Sequence, residues 1–297
     1  MSDQTSTEGA AAAVIIPHYN DVARLERCLA ALVRENDAAA LAKTEIVVVD
    51  NNSTDDIAAI RAAYGQVRFV IEETPGAASA RNRGVAETTA ERLFFLDADC
   101  VPASDWLATA HAVAGDADLV GGRIDTFDET LPPRSGAEAF EAVFAFHQRD
   151  YIERQRFSVT ANLLTTRTIF EDVGPFVAGV SEDLDWCRRA VGKGYGLVYR
   201  DGLAVEHPTR PDWPALQKKW RRLASESFQL TGATPAARIK WLLRSVAVAG
   251  SAFVHAPKIL FSDKLNGLTE RLRGLGALFR LRFWRALVML RQATTGS

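Results

Sequence analysis

The residues with the most chemistry in this chain stand in FFLDADC, residues 94–100. Large apolar residues lead straight into Asp97 and Asp99. A continuous apolar run closed by a turn reads as a buried strand. Alternate residues of an extended chain project to one side, so the two carboxylates point together. Like charges that close repel unless something positive stands between them. A divalent cation, a ligand that carries one, or plain solvent would each serve. A second acidic group opens SEDLDWCRR, with Glu182 and Asp183, and Asp185 two residues on. The macrodipole favours carboxylates at a helix start, so this group has a structural reading beside a catalytic one. Arg81, Asn82 and Arg83 follow a Pro-Gly turn at the start of a helix. Guanidinium forks and helix N-termini both suit phosphate oxygens. A solvated helix start is the plainer reading, and it fits one of the two arginines better than both.

These groups need elements to position them. AVIIP (13–17), EIVVVD (45–50), VRFVIE (67–72) and RLFFLD (92–97) read as strands, separated by helical spacing over 21–34, 56–64 and 79–90. Strand–helix alternation with continuous apolar strands implies a parallel sheet covered on both faces. Ligands of such sheets sit at the carboxyl ends of the strands, where HYN, DNNS and DAD fall. Beyond residue 100 the expected strands are 118–127, 157–167, YGLVYR and LAVEH, with a helix over 181–194. From about Asp212 the pattern is helical. Residues 268–290 place Leu268, Leu272, Leu275, Phe279, Phe283, Ala286, Leu287 and Leu290 on one stripe.

The 297 residues suffice for one large domain plus an appendage, and 47% hydrophobic with 24% charged residues is ordinary for a globular chain. The three Cys form no CxxC pair, which argues against a zinc site or a disulfide framework and fits a reducing, cytoplasmic setting. Residues 1–12 are expected as a disordered leader, not a signal peptide. The net charge of −2 hides an asymmetry: Pro235 to the C-terminus carries 11 Lys+Arg and 2 Asp+Glu, against 24 and 35 in the rest. A basic tail on an acidic body suggests an anionic surface as one partner. The tail reads either as an in-plane membrane helix or as a helix packed on the catalytic domain or a partner. Nucleic acid lacks motif support, and 241–256 is shorter than the ~20 apolar residues of a spanning helix.

In order, VIIPHYN, VVVDNNSTDD, GAASARNRG, FFLDADC and SEDLDWCRR resemble the inverting family 2 glycosyltransferases of the GT-A fold, over roughly residues 14 to 207. The resemblance implies an α/β fold: a Rossmann-like, mostly parallel sheet flanked by helices, with a C-terminal helical extension. The catalytic domain would span 13–210 and the extension 211–297. It implies transfer from a nucleotide-diphosphate sugar, UDP-linked first, to a glycan or lipid-linked acceptor in surface polysaccharide or glycoconjugate synthesis. The site would then be cytoplasmic, or peripheral on the inner face of the cytoplasmic membrane.

By the same resemblance Pro17, Tyr19 and Asn20 line the nucleotide site, and Asp50 and Asn51 hold the base edge. DNNS alone also reads as an Asx turn capping the next helix. Asp97-Ala98-Asp99 corresponds to the family's DxD, with Asp97 on ribose or sugar and Asp99 on Mn²⁺ or Mg²⁺. Hard cations take oxygen ligands and keep phosphates in their shell, and such a metal offsets charge on the departing diphosphate. Asp183 corresponds to the general base that deprotonates the acceptor. Direct displacement needs one base and no second catalytic carboxylate. Glu182 and Asn162 fall in the acceptor or sugar pocket, although Thr160-Ala161 stands where Gly-Ala is common. His207 reads as a metal ligand or as a packing residue. Gln217 and Trp220 in QKKWRR are similar to the QxxRW of processive synthases, but with Trp-Arg inverted, so the expectation is nonprocessive. Two rivals remain. One is a haloacid-dehalogenase-type phosphatase using Asp97 and Asp99, although three α/β units precede its strand here. The other is an inactive GT-A scaffold.

Overall fold

A computed structural model describes residues 10–34, 37–229, 231 and 234–295. The elements run β1 (Ala12–His18), α1 (Val22–Leu29), α2 (Ala38–Leu41), β2 (Thr44–Asp50), α3 (Ala58–Ala63), β3 (Arg68–Ile71), α4 (Ala77–Ala86), β4 (Arg92–Leu96), β5 (Val101–Pro102), α5 (Trp106–Val113), β6 (Leu119–Phe127), α6 (Gly136–Phe144), α7 (Gln148–Glu153), β7 (Asn162–Thr166), α8 (Arg167–Val173), α9 (Glu182–Gly192), β8 (Leu197–Pro208), α10 (Trp213–Gln229), α11 (Pro235–Leu260) and α12 (Gly267–Thr295). The strands form one eight-stranded sheet in the order β3-β2-β1-β4-β7-β6-β8-β5. This is the α/β arrangement expected, a sheet flanked by helices and followed by a helical extension.

The first four strands pair in parallel, and their registers align His18 with Asp50. The later strands pair antiparallel, β7 with β4, β6 with β7, and β5 with β8. Apolar continuity along a strand reports cover on both faces, which either direction of pairing satisfies, so the antiparallel half was not legible. The strand expected over 157–167 is confined to 162–166, because Thr166 turns to cap α8 and accepts from Ile169 N. YGLVYR and LAVEH are one strand, β8. The helix expected over 21–34 ends as α1 at Leu29 and continues as a wider π-type turn to Arg34.

The chain divides into two compact units. The first contains residues up to Asp125, His147–Ala178 and Glu182–His207. Its core joins Ile15, Leu93 and Phe95 of the sheet to Phe170, Phe176 and Trp186. Gly84 lets α4 lie close on β1: a Cβ there would meet Ile15 Cγ2 at 2.4 Å. The second unit contains Thr126–Phe146, Gly179–Ser181 and the chain from Pro208. The expected border at 210 lies close to Pro208, where the chain last enters the second unit; residues 126–146 also belong to that unit, since α6 packs with the C-terminal helices around Phe140, Leu216, Ile259, Leu278 and Leu281. Residues 1–9 of the expected leader lie outside the described residues, and Ala12 already belongs to β1.

Most of the apolar stripe of α12 turns away from this core, although Leu275 packs against it. Leu268, Leu272, Phe283, Leu287 and Leu290 are exposed, whereas Gly274, Leu278, Leu281 and Met289 are buried. No helix among the described residues is long and apolar enough to cross a membrane.

Candidate active site

β4 ends at Leu96, so Asp97 and Asp99 do not share an extended strand as the alternation implied. A tight turn presents them, closed by Cys100 N donating to Asp97 O at 3.0 Å. The two carboxylates are drawn to different partners. Asp97 Oδ1 accepts from Arg81 Nη2 at 2.5 Å. Asp99 Oδ2 lies 3.2 Å from His207 Nε2. Both carboxylates stay about a quarter exposed, at 29% and 27%. Ala98 between them is buried. Beneath the turn, Cys28 and Cys100 are fully buried. Burial first, then the Asp99 and Asp97 charges, push both thiols well up. They are protonated packing groups, not nucleophiles.

His207 arrives through sheet pairing. The antiparallel register sets Val101 against Glu206, so residues just before β5 meet residues at the end of β8. Arg81 arrives through α4, one helical turn before Gly84. Its side chain is buried between Asp97 and Glu182, with Nη1 donating to Glu182 Oε1 at 3.0 Å. Burial alone would lower its pKa, but Asp97, Glu182 and Asp183 together raise it. Arg81 therefore clamps the acidic turn to the start of α9. Its Nε is buried without a hydrogen-bond partner.

Glu182, Asp183 and Asp185 occupy the first turn of α9, where the helix dipole favours negative charge. Asp185 pairs with Arg189 at 2.9 Å, and Arg189 in turn caps the carbonyls of Val173 and Pro175. That assigns Asp185 to holding the helix. Asp183 is half-buried, and its Oδ1 accepts from Leu184 N at 2.8 Å.

At the ends of β1 and β2, His18 is buried and lies 3.1 Å from Asp50 Oδ1. Asp21 N donates to His18 Nε2 at 3.2 Å. A backbone N–H can only donate, so the ring proton is assigned to Nδ1, which donates to Asp50. Within HYN the sequence assigns no role to His18; its signal is a polar residue closing an apolar strand, and only the register of β1 with β2 sets it against Asp50. Tyr19 is 62% exposed and Pro17 half-buried, so both remain available to a planar ligand. Asn20 and Asn51 build loops instead. Asn20, at φ +48°, accepts from Thr54 N, and its own N–H donates to Ser53 Oγ. Asn51 donates to Glu72 O and Thr74 O and accepts from Gly76 N. Its two amide donors are both taken up, and its Oδ1 accepts one of the two bonds it can accept.

Three expected residues fall away from the acidic turn. Asn82 is bonded both ways to the Phe176 backbone. Arg83 pairs with Glu87 on the surface of α4. Asn162 is fully buried. It donates to Arg123 O and Leu203 O and accepts from Trp106 Nε1. It ties β6, β7, β8 and α5 together, with no surface exposed toward the sugar pocket in which it was expected.

Among the described residues no group of three or more His, Cys, Asp or Glu side chains could hold a metal ion. Asp99 and His207 form a group of two. Donors at right angles and about 2.1 Å from one ion lie about 3 Å apart, so their 3.2 Å separation suits neighbouring positions on a small divalent cation. Such cations are commonly held by one or two protein ligands plus substrate phosphates, and this donor set fits.

A mixed sheet with a parallel first half, a two-carboxylate turn at the end of β4 and a helix bearing acids opposite it define the GT-A class of glycosyltransferase. Solved structures share the fold. The mannosyltransferase PcManGT from Pyrobaculum calidifontis, in complex with GDP-Man and Mn²⁺, aligns over 98% of this chain and 77% of its own, with a TM-score of 0.56 and 19% identity. S. aureus TarS 1-349, in complex with UDP, aligns over 96% and 92%, with a TM-score of 0.53 and 15% identity. Glycosyltransferase AglE of Haloferax volcanii is 33% identical over 219 residues, 70% of each chain. The pre-mycofactocin glycosyltransferase of Mycobacterium tuberculosis is 27% identical over 216 residues, 68% of this chain but only 44% of that one. Residues 13–179 match glycosyl transferase family 2. The chain belongs to that family and is a glycosyltransferase. The matched segment contains the turn at 97–99 and stops before Asp183 and His207.

Proposed function

We propose that the enzyme transfers a sugar, with inversion, from a nucleotide-diphosphate donor to a hydroxyl of a glycan or lipid-linked acceptor, one residue per encounter. The carrying observation is the Asp97–Asp99 turn, with Arg81 bridging it to Glu182 and His207 beside Asp99. Asp50, oriented by His18, takes the edge of the base, and Pro17 and Tyr19 flank its plane. Asp97 meets ribose or sugar. Asp99 and His207 hold Mn²⁺ or Mg²⁺, which when bound offsets charge on the diphosphate leaving group. Asp183 takes the acceptor proton, and Glu182 orients the acceptor from a carboxylate fixed by Arg81. Neighbours crystallised with GDP-Man and Mn²⁺ or with UDP support a metal-bound nucleotide sugar, and UDP is the first choice. The phosphatase and scaffold readings gain no support from the fold or the relatives.

The α11 and α12 helices suit the surface of an anionic membrane. They expose Leu243, Val246, Phe253 and Val254, and Leu268, Leu272 and Leu287. Phe253 meets Phe279 at 5.1 Å, which joins the two stripes. The excess of Lys and Arg from Pro235 onward complements anionic headgroups. An inner-leaflet, surface-glycan enzyme follows from this reading. The test is calorimetric titration of the full chain with UDP, GDP and dTDP, with and without Mn²⁺. Metal-dependent binding of one nucleotide is expected; absence of binding by all three overturns the donor site.

A further inference from the structure

The helical unit carries a group of cations that the donor chemistry does not use. Arg285 points into the packed side of α12, in line with Leu278, Leu281 and Gln292 by helical spacing. Its guanidinium lies 4.0 Å from the centre of the Trp220 ring on α10. Its Nε is buried without a hydrogen-bond partner. So are Arg282 Nε and Trp220 Nε1. Arg282 is one turn before Arg285 and so shares its side of the helix. Arg282 Nη2 lies 3.3 Å from His255 Nδ1. Arginine can only donate, so Nδ1 accepts and the imidazole proton sits on Nε2, a further donor.

No carboxylate among the described residues forms an ion pair with Arg282 or Arg285. Glu141, the acid of α6 in this unit, is already taken by Lys219 at 2.5 Å and by the Arg210 backbone at 2.8 Å. Burial first, then Arg282 and Arg244, lower the Arg285 pKa to about 9. Burial followed by Arg282 and Lys258 lowers that of His255 as well. Mutually repelling cations, held together with buried unpaired donors and no anion of their own, lack a counter-charge. Two guanidinium forks and an indole N–H supply more donors than one carboxylate accepts, and they suit a tetrahedral oxyanion of charge −2.

We propose that the helical unit binds a phosphate group, free or borne on a lipid, on Arg285, Arg282 and the indole N–H of Trp220. This site is separate from the donor site, and either assignment can fail without the other.

The full chain is titrated in EDTA, which suppresses metal-dependent binding at the donor site. The probes are inorganic phosphate, inorganic diphosphate, and phosphatidylcholine vesicles with or without phosphatidic acid. Arg285→Met keeps an unbranched apolar stem beside the Trp220 ring and removes the charge and the N–H donors. Trp220→Phe keeps an aromatic face and removes the N–H. Wild type is expected to gain thermal stability with at least one phosphate probe. Arg285→Met should weaken that response at least tenfold, and Trp220→Phe severalfold. Without phosphate, Arg285→Met should melt no lower than wild type. A response to phosphatidic acid vesicles alone assigns the phosphate to a lipid; a response to the inorganic anions assigns it to a soluble ligand. Metal-dependent nucleotide binding should be unchanged in both variants, which separates this site from the donor site. If no probe distinguishes wild type from Arg285→Met, or if that variant melts lower with no phosphate dependence, Arg285 is a packing group on Trp220 and the site is overturned.

Discussion

Arg81 Nη2 lies 2.5 Å from Asp97 Oδ1, and the other arm of the same guanidinium holds Glu182. One buried cation thus sets the spacing between the Asp97–Asp99 turn and the start of α9. Removing it leaves two partly buried carboxylates facing each other. Arg81→Met should destabilise the fold by about 3 kcal/mol and weaken nucleotide binding, as read by urea unfolding and calorimetry. Arg81→Lys should recover part of the stability but not the two-armed geometry.

Asp99 and His207 should act as one unit toward metal. Asp99→Ala and His207→Ala should each lower Mn²⁺-dependent nucleotide binding by roughly 10–100-fold or more, the range known for disturbed metal sites. The double variant should lose little beyond either single one. Chelation of wild type should reproduce the same loss. Unaltered metal dependence in His207→Ala would return that residue to a packing role.

Asp183→Asn should leave donor affinity within a factor of about two and lower kcat on the order of 100–10,000-fold, the range for loss of a general base. Asp185→Asn, which disturbs the Arg189 anchor of α9, should instead lower stability with a smaller effect on kcat. Steady-state kinetics on both variants separates the two carboxylates.

Glu141, with Glu270, contributes to the pH dependence of the helical unit. Burial would raise its pKa, but Lys219 and Arg210 bring it below the ordinary 4.5. A carboxylate lowered in the folded state adds stability above its unfolded pKa and loses that stability as pH falls through the folded value. Unfolding followed by fluorescence of Trp213, Trp220, Trp241 and Trp284 should therefore show a loss below about pH 4.5. Glu141→Gln should be less stable at pH 7 by about 3 kcal/mol, with a flatter acid limb.

Asn162 and Gly122 should matter to folding and not to sugar choice. A Cβ on Gly122 would meet Leu203 O at 2.1 Å and Asn162 Nδ2 at 2.2 Å, so Gly122→Ala should cost about 1–3 kcal/mol or more. Asn162→Leu strands the Trp106 indole N–H and two carbonyls, at about 1–3 kcal/mol for each group left unpaired. Thermal unfolding reads both, and donor specificity in the surviving protein should match wild type.

The amino-acid sequence determined the strands of the first half and the places where polar groups interrupt them, because a buried strand must be continuously apolar and its polar end stands out. DNNS, DAD and the acidic start of α9 were legible for that reason, and their order carried the family. Which residue meets which was decided only in three dimensions. Arg81, Asn82 and Arg83 are consecutive, yet α4 turns one to Asp97 and Glu182, one to the Phe176 backbone and one to Glu87. Asn162 looked like a pocket residue until the crossing of β6, β7 and β8 claimed every donor it has. His207 reaches Asp99 because an antiparallel register brings the end of β8 to the turn, and local pattern carries no register. The stripe of α12 is legible as a stripe, but its direction stays open between a membrane and a packed neighbour. Periodicity shows which residues share a face, and only the packed neighbours decide whether that face is covered.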